Sequence, residues 1–227
     1  MAKRRAIIFL GPSLGHEQAR KLLPDAEYRP PARKGDLLAL SAARRASREE
    51  EVVVGLVDGV FLLDYPPTPI EVYQLAVQPN TVLAGAASLG ALRAVELEKF
   101  GMLGIGRIFR LFKSGRLDAD DEVAVTFTEN DHRLLSEAMV DIRYNLILAL
   151  KKGVIDKKTM RAIGRTAKRI YFPHRNYSHI LDEARRQHPS LAPGFDDFEK
   201  YITSNRTSLK ARDAAELLEF VKGRLEA

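Results

Sequence analysis

The sequence contains no cysteine among its 227 residues. This absence excludes disulfide scaffolds, cysteine-ligated zinc, iron–sulfur ligation by the chain and a cysteine nucleophile, and it agrees with a reducing cytosol. Long apolar runs are also missing near the start, where residues 6–10 form an apolar run that is shorter than a signal-peptide core or a membrane span. We therefore expect a cytoplasmic protein without a membrane segment.

Ligand-binding motifs are missing as well. The chain has no Gly-x-x-x-x-Gly-Lys-[Ser/Thr] segment, which argues against ATP binding by a P-loop, and GPSLG at residues 11–15 is only a loose match to a dinucleotide fingerprint. No two of the five histidines have the His-x-x-x-His spacing of a helical zinc site. We therefore predict no cofactor and no resident metal.

One acidic run leaves a second reading open. Residues 118–122 read DADDE and crowd four carboxylates together. Crowded carboxylates raise each other's pKa or recruit a divalent cation, but the interval is not that of an EF-hand loop. The run therefore predicts an acidic turn or docking surface, with a metal site as the alternative.

The positive charge is concentrated in the C-terminal part of the chain. The composition, with 45% hydrophobic and 29% charged residues, is globular and excludes bulk disorder. The net charge of +6 divides into −1 for residues 1–131 and +7 for residues 132–227. Its densest part, residues 151–169, is a solvated helix face, a surface for an acidic protein or peptide, or an RNA contact. Few aromatic residues accompany it, so nucleic acid is disfavoured.

Apolar patterning predicts an α/β fold. Residues 6–10, 52–57 and 81–84 are short apolar runs that end at turn residues, as the inner strands of a parallel sheet do. Helical patterns follow these runs, and the alternation predicts an open, mostly parallel sheet with flanking helices. The predicted helices of this part lie after Ser13 as far as Pro24, at residues 36–48 and at residues 71–77, with an extended segment at residues 28–32.

The pattern changes to helices alone from about residue 132. The clearest helical stretches are residues 134–150, 159–170 and 214–225. The sequence therefore predicts an α/β core over residues 1–131 and a basic, all-helical part over residues 132–227.

Ligands of open α/β sheets gather at the carboxyl ends of the strands. This rule brings three distant places to one edge: Gly11 with Ser13, Asp58 with its following glycine, and Gly85 with Ser88. The serine segment approaches the Gly-x-Ser-x-Gly pattern of a nucleophile elbow, although an alanine occupies the first glycine position. Ser88 is therefore a helix cap or a nucleophile, next to helix amides that can hold a carboxylate, thiocarboxylate or oxyanion.

Four charged or titratable residues complete the candidate site. Arg93 and Glu96 lie one turn apart and either pair with each other or orient an anionic substrate through the arginine. Asp58 either makes a turn or takes part in the chemistry. His16 is the histidine nearest this edge and is a candidate base for Ser88.

These segments resemble the TfuA-like proteins, which accompany YcaO-type cyclodehydratases in peptide-backbone thioamidation. The longest matching segment is GAASLGALRAVEL at residues 85–97, and the resemblance covers about residues 6–127. The shorter matching segments are FLGPSL at 9–14, PPA at 30–32, GD at 35–36, VDGVF at 57–61, GM at 101–102, GIG at 104–106 and DDEVA at 120–124.

The resemblance implies a function. TfuA-like proteins are thought to release sulfide by hydrolysis of a thiocarboxylated ubiquitin-like carrier and to help the YcaO enzyme bind its protein or peptide substrate, while YcaO consumes the ATP. The methanogen counterpart, which acts on a glycine of methyl-coenzyme M reductase, is the setting that the resemblance favours. In place of the family's frequent His-Lys-Glu, this chain has PIE at residues 69–71. A non-catalytic adaptor for YcaO, acting through the basic helices, is the alternative, and an unrelated serine hydrolase is a more distant one.

Overall fold

A computed structural model describes residues 4–46, 50–60 and 65–227. Within them, parallel strands form one open sheet with the order β2-β1-β3-β4-β5. Helices flank the sheet and a helical stretch follows it, so the predicted fold class is confirmed. The strands are β1 (Arg4–Phe9), β2 (Glu27–Arg29), β3 (Glu51–Leu56), β4 (Thr81–Gly85) and β5 (Leu103–Gly104).

The three strands predicted from apolar runs are the central strands of the sheet. Their side chains are buried on both faces, which explains why their sequences are continuously apolar. Ile8 of β1 pairs with Gly55 of β3, and Gly55 pairs with Ala84 of β4. The edge strand β2 begins one residue before the start of the predicted extended segment and ends three residues before the end of that segment. The two-residue strand β5 was not predicted. Both edges are short, which limits their exposed backbone.

Two compact units are present, and each is described by itself. The first contains Met1–Asp118 and Lys210–Ala227, and the second is Ala119–Leu209. Helices of the first unit are α1 (His16–Leu22), α2 (Asp36–Ala46), α3 (Pro69–Ala76), α4 (Leu89–Leu97), α5 (Gly106–Lys113) and α10 (Leu209–Glu226), the last of which begins at the boundary. The predicted second helix extended to Arg48, which lies outside the described residues.

The last helix differs from the prediction, which placed it in the basic helical part. Leu217, Leu218 and Val221 of α10 are fully buried and pack in one cluster with Ile8 and Val53 of the sheet. The apolar face of α10 therefore covers one face of the sheet, and the structure divides the chain elsewhere than at residue 131.

The second unit is a helical bundle with its own core. Its helices are α6 (Met139–Lys151), α7 (Lys157–Arg169), α8 (Tyr177–Gln187) and α9 (Ala192–Asn205). The core contains Ile142, Ile163, Leu181 and Phe198, all fully buried. None of the helices in the described ranges is both long and apolar enough to cross a membrane.

Helix α5 takes its N-terminal cap from another helix. The carboxylate of Asp213, on α10, accepts a hydrogen bond of 2.6 Å from the amide of Ile108. Gly106 makes room for this carboxylate, because a Cβ at Gly106 would lie 2.4 Å from Asp213 Cγ and its φ is +90°. Burial raises the pKa of the Asp213 carboxyl to about 6, against the hydrogen bonds from two α5 amides, which lower it.

This cap predicts a pH dependence for the first unit. The pKa of Asp213 is 3.8 without burial, so between that value and about 6 the folded state binds more protons than the unfolded state. Stability therefore falls as the pH rises through this window, by roughly 3 kcal/mol. Asp213→Asn keeps an acceptor oxygen and removes the buried charge, so we expect a more stable first unit at pH 7 and a flatter pH profile. Amide hydrogen exchange in α5 and α10 at pH 4 to 7 measures this, and lower protection of the variant at pH 7 would contradict it.

Candidate functional site

Asp58 joins the ends of β1 and β3. Its side chain is 1% exposed, and its carboxylate accepts hydrogen bonds from the amides of Gly11 at 2.9 Å and Ser13 at 3.0 Å and from the Ser13 hydroxyl at 2.6 Å. Two of the predicted site segments are therefore in direct contact. In this structure Asp58 shapes the loop after β1, and the donors of Gly11 and Ser13 are already engaged.

This contact lies at the point where the strand order reverses. The chain leaves β1 toward β2 on one side, and β3 lies on the other. Doubly wound sheets bind ligands in the crevice at such a point, beyond the carboxyl ends of the strands. The edge predicted from the sequence is therefore also the topological switch point.

Ser88 lies on a sharp strand-to-helix turn between β4 and α4. Ala87 has a φ of +63°, a left-handed conformation that is uncommon for a residue with a Cβ and costs roughly 1–2 kcal/mol. Such outliers are concentrated at functional sites. Ser88 follows it as the N-cap residue of α4, but its hydroxyl makes no capping hydrogen bond and no other hydrogen bond within the described residues. Capping therefore does not explain the serine, although only 2% of its surface is exposed.

Close backbone packing holds this turn against β3. A Cβ at Gly90 would lie 1.7 Å from the carbonyl oxygen of Leu56, and a Cβ at Gly85 would lie 2.1 Å from the carbonyl oxygen of Gly90. Gly59 is similarly close to the side chain of Leu89, because a Cβ there would lie 2.1 Å from Leu89 Cδ2. The close backbone approach expected from the small residues is present, and the start of α4 adjoins the segment that contains Asp58.

The amides of the turn are more occupied than the sequence suggested. Gly90 donates to the carbonyl of Val57 at 3.2 Å, and the amides of Ala91 and Leu92 donate to the carbonyl of Ser88. Among the described residues, the amides of Ala87, Leu89 and Gly59 have no hydrogen-bond partner. The expected row of unpaired helix amides is therefore reduced to one in α4, with one more in the turn before it and one in the adjoining loop.

Arg93 and Glu96 pair with each other. The Arg93 guanidinium contacts both carboxylate oxygens, at 2.9 Å and 2.8 Å, and also donates to the carbonyl of Pro67 at 3.0 Å. The ion-pair alternative is therefore what the structure contains. An anionic substrate would have to compete with Glu96, so substrate binding by either residue stays a prediction.

His16 lies on the other side of the sheet's centre. Its ring contacts Tyr28 of β2, with ring centroids 5.9 Å apart. Strand β2 is three positions from β4 in the sheet, which at the usual spacing of strands is about 14 Å. Within the described residues no hydrogen bond joins His16 to Ser88, and its role as a base stays a prediction.

Two carboxylates of the acidic run form ion pairs inside the second unit. Glu122, with a side chain 3% exposed, pairs with Arg143 and Lys168, while Asp121 pairs with Lys168 and Arg175. Burial raises the pKa of both carboxyls, but hydrogen bonds from these cations outweigh it and hold each pKa below its ordinary value. Within the described residues, no group of three acidic or histidine side chains could hold a metal. These two carboxylates therefore stabilise the fold: the predicted acidic turn is present as the short 3-10 helix Asp120–Glu122, and a docking surface made of these two side chains is not.

Several site features gave little or no signal in the sequence. The left-handed Ala87 has none, because glycine is the residue expected there. Gly59 was placed at this edge only as the residue after Asp58, and Leu89 was missed, because the roles of both depend on backbone amides. The cations around Glu122 come from positions 21 and 46 residues further along the chain, so only the fold brings them together.

Together, the fold and the site define a doubly wound α/β protein with a serine on a strained strand-to-helix turn beside the switch point. The sequence profile of the TfuA-like protein family matches residues 58–176, which is more than half of the chain. The chain therefore belongs to the TfuA-like family. A search of curated proteins gave no match.

The matched range differs from the resemblance over residues 6–127. It begins at Asp58, includes Ser88 and continues through α6 and α7 to Asn176. The family's sequence pattern therefore extends into the helical unit, which the resemblance hardly reached.

Proposed function

We propose that this protein releases sulfide by hydrolysing the thiocarboxylate of a ubiquitin-like sulfur carrier, in support of a YcaO-type enzyme that forms thioamides in a protein or peptide. The observation that carries the proposal is Ser88, whose hydroxyl follows a left-handed residue and is not used as a cap. Membership of the TfuA-like family supports the choice of reaction, and the modified residue in this proposal is a glycine, as in the methanogen setting.

The reaction can be written with the groups at this edge. The Ser88 hydroxyl attacks the thiocarboxylate carbon, the C–S bond breaks, and the hydroxyl proton leaves with the sulfur as hydrosulfide. Water then hydrolyses the acyl-serine ester, which restores Ser88 and leaves a carboxylate and a proton. The amide of Leu89, directly after the serine, is the position that supplies an oxyanion donor in nucleophile elbows, and Gly59, whose amide is also unpaired among the described residues, packs against the Leu89 side chain.

Such donors have a large effect on rate. A single oxyanion-hole donor contributes about 3–4 kcal/mol, because it is oriented before charge develops on the oxygen. Asp58 contributes by holding the loop after β1 in place, and the roles proposed for Arg93 and His16 are to bind the anion and to accept a proton. This proposal needs no bound cofactor.

Ser88→Ala is expected to lower sulfide release from a thiocarboxylated carrier by about a hundredfold or more. Because its hydroxyl makes no hydrogen bond in the described residues, the variant should unfold at the same urea concentration as the wild type. Sulfide is measured with purified carrier and a thiol-trapping dye. The matched control is Ser114→Ala, which removes an exposed serine hydroxyl at the end of α5. Equal rates for Ser88→Ala and wild type would remove this serine from the mechanism.

The second candidate is an adaptor that brings the substrate to YcaO without chemistry of its own. It is favoured by the basic face of α7, where Arg161 and Arg165 lie exposed and make no ion pair within the described residues. An adaptor raises the affinity of the YcaO-type enzyme for its substrate equally with wild type and Ser88→Ala. If both measurements succeed, sulfide release and substrate recruitment are separate functions of the two units.

A further inference from the structure

A groove lies between two helices of the second unit. Its floor is apolar and comes from Leu146 and Ile147 of α6 and Met160 of α7, with Gly164 leaving space between them. The groove encloses about 360 Å³, within the range of small-ligand and side-chain pockets. We call it the α6–α7 groove, and its remaining lining residues are Arg143, Arg161, Arg165 and Lys168.

The cations around the groove are of two kinds. Arg143 and Lys168 are held by Glu122, whose carboxylate accepts from both at 2.9–3.0 Å. Arg161 and Arg165 lie one turn apart on α7, exposed, and have no acidic partner among the described residues. Like charges at this spacing repel each other by a few tenths of a kcal/mol, so this pair costs stability that an anionic partner would recover.

The two unpaired arginines differ from arginines of the same unit that have acidic partners. Arg185 pairs with three carboxylates, and Arg206 pairs with Glu137. The unit therefore places acidic side chains beside some of its surface cations, whereas Asp156, the acid nearest to Arg161 and Arg165 in the adjoining depression, accepts from the Thr159 amide as the cap of α7. Arg169 also has no acidic partner among the described residues, but it lines neither depression, so Arg161 and Arg165 are the unpaired arginines that line the groove.

A second depression continues the basic surface on the other side of this pair. Its volume is about 650 Å³, and it is lined by Arg161 and Arg165 together with Lys157, Lys158, His188 and one acid, Asp156. The two arginines thus form a ridge between an apolar groove and a wider basic depression. A ligand that crosses the ridge would meet an apolar pocket, then positive charge on both sides.

This combination selects the class of ligand. An apolar floor accepts an aliphatic side chain, and unpaired guanidinium groups accept carboxylates, so a segment of protein with both matches the groove. Single-stranded nucleic acid needs flat rings for its bases to stack on, and in the described part of the chain no Phe, Tyr or Trp side chain lines either depression, where the one ring is the imidazole of His188. A small free anion would not use the apolar floor.

We propose that the α6–α7 groove binds an acidic segment of a partner protein, with an aliphatic side chain of that segment between Met160 and Leu146 and its carboxylates on Arg161 and Arg165. This inference goes beyond the proposed function and does not depend on Ser88, since the groove lies entirely in the second unit. It identifies the partner by its chemistry, as an acidic segment with an aliphatic anchor.

Binding of short synthetic peptides to the full chain tests the proposal. The probe is a fluorescein-labelled peptide of glutamates and aspartates around one leucine, followed by fluorescence anisotropy at low salt, and its reference has serine in place of leucine. Replacing both arginines, Arg161→Gln with Arg165→Gln, is expected to lower the affinity for the leucine peptide by about tenfold or more. The charge-matched control, Lys151→Gln with Arg169→Gln, changes residues that line neither depression and should leave the affinity unchanged.

A variant that fills the groove separates shape from charge. A Cβ at Gly164 has room, with Leu146 Cδ1 nearest at 3.7 Å, so Gly164→Leu should fold and occupy the groove. It also removes a glycine from the middle of a helix, which favours stability. We expect Gly164→Leu to lower the affinity for the leucine peptide by about tenfold and to leave the affinity for the serine peptide unchanged.

Four results would overturn the proposal. Equal loss of affinity in the charge-matched control would mean that the whole basic surface acts without a specific groove. Equal affinity of the leucine and serine peptides, or no effect of Gly164→Leu, would remove the aliphatic anchor. If a short single-stranded RNA bound more tightly than the leucine peptide, and this binding were lost when Arg161 and Arg165 are replaced, the surface would be a nucleic-acid site.

Discussion

Gly90→Ala is expected to destabilise the first unit by about 4 kcal/mol, near the upper end of single-residue effects. The added Cβ would lie 1.7 Å from the carbonyl oxygen of Leu56 and 2.6 Å from its carbonyl carbon. Both are backbone atoms of β3, the central strand, so no flexible side chain can yield. Helix α4 would have to move away from the sheet and lose the hydrogen bond that the Gly90 amide donates to the carbonyl of Val57.

The same displacement predicts a functional loss. Gly90 follows Ser88 by two residues, and its amide fixes the first turn of α4 against β3. If α4 moves, the serine hydroxyl leaves the position that the proposed reaction requires, because errors on the order of 1 Å reduce rates by about a hundredfold. The variant should therefore lose sulfide release even at temperatures where it is folded.

A second glycine provides the control. Gly223 lies near the end of α10, and no atom lies within 4 Å of a Cβ built on it. Gly223→Ala should therefore stabilise the helix by roughly 0.5–1 kcal/mol, since glycine is a poor helix former. Urea unfolding followed by circular dichroism compares the two variants. A Gly90→Ala protein within about 1 kcal/mol of the wild type, against the overpacking penalty expected here, would show that α4 is not held this closely.

The parts of the fold that could be predicted are those with a local signal. Strands β1, β3 and β4 follow from continuous apolar runs, because both of their faces are covered. The start of α3 also has a local signal, since Thr68 and Glu71 form a capping box. By contrast, α5 was missed, and its N-terminal cap comes from Asp213, 105 residues from the amide it accepts.

The site was predictable in outline only. The rule for parallel sheets brought Asp58 to the loop of Gly11 and Ser13, which are in contact in the structure. The rule does not say which groups pair there, and it gave no reason to separate His16 from Ser88. That separation depends on the position of β2 in the strand order, which follows from packing and not from local sequence.

The second unit is expected to depend on one buried arginine. Arg175 is 1% exposed, and its guanidinium donates to the carbonyls of Ala167 at 3.0 Å, Ile170 at 3.0 Å and Asp121 at 2.8 Å, and to the Asp121 carboxylate. One side chain thus joins the end of α7 to the segment before α6. Arg175→Met fills a similar volume but leaves these acceptors without a donor, so we expect a loss of about 3–5 kcal/mol.

The pH dependence of this network has the opposite sign to that of Asp213. Hydrogen bonds from Lys168, Arg175 and Arg143 outweigh burial and hold the pKa of Asp121 and of Glu122 below 3.8 and 4.5 respectively. The unfolded state then binds more protons in the acid range, so the stability that these carboxylates contribute is complete above about pH 5 and is lost as the pH falls through their folded pKa values. Arg175→Met should reduce this acid dependence, because it removes one of the cations that lower the pKa of Asp121.

Arg185, a surface arginine that also has several partners, serves as the control that separates the effect of burial on stability from the effect of ion pairing. Arg185 contacts three carboxylates, but they are half-exposed, so Arg185→Met should cost no more than about 1 kcal/mol. Hydrogen exchange of amides in α6 and α7, measured at pH 3 to 7, reports the second unit separately from the first. Equal losses for the two variants would mean that the number of ion pairs decides stability. A much larger loss for Arg175→Met would mean that the unpaired buried carbonyls decide it, which is the outcome expected from the geometry.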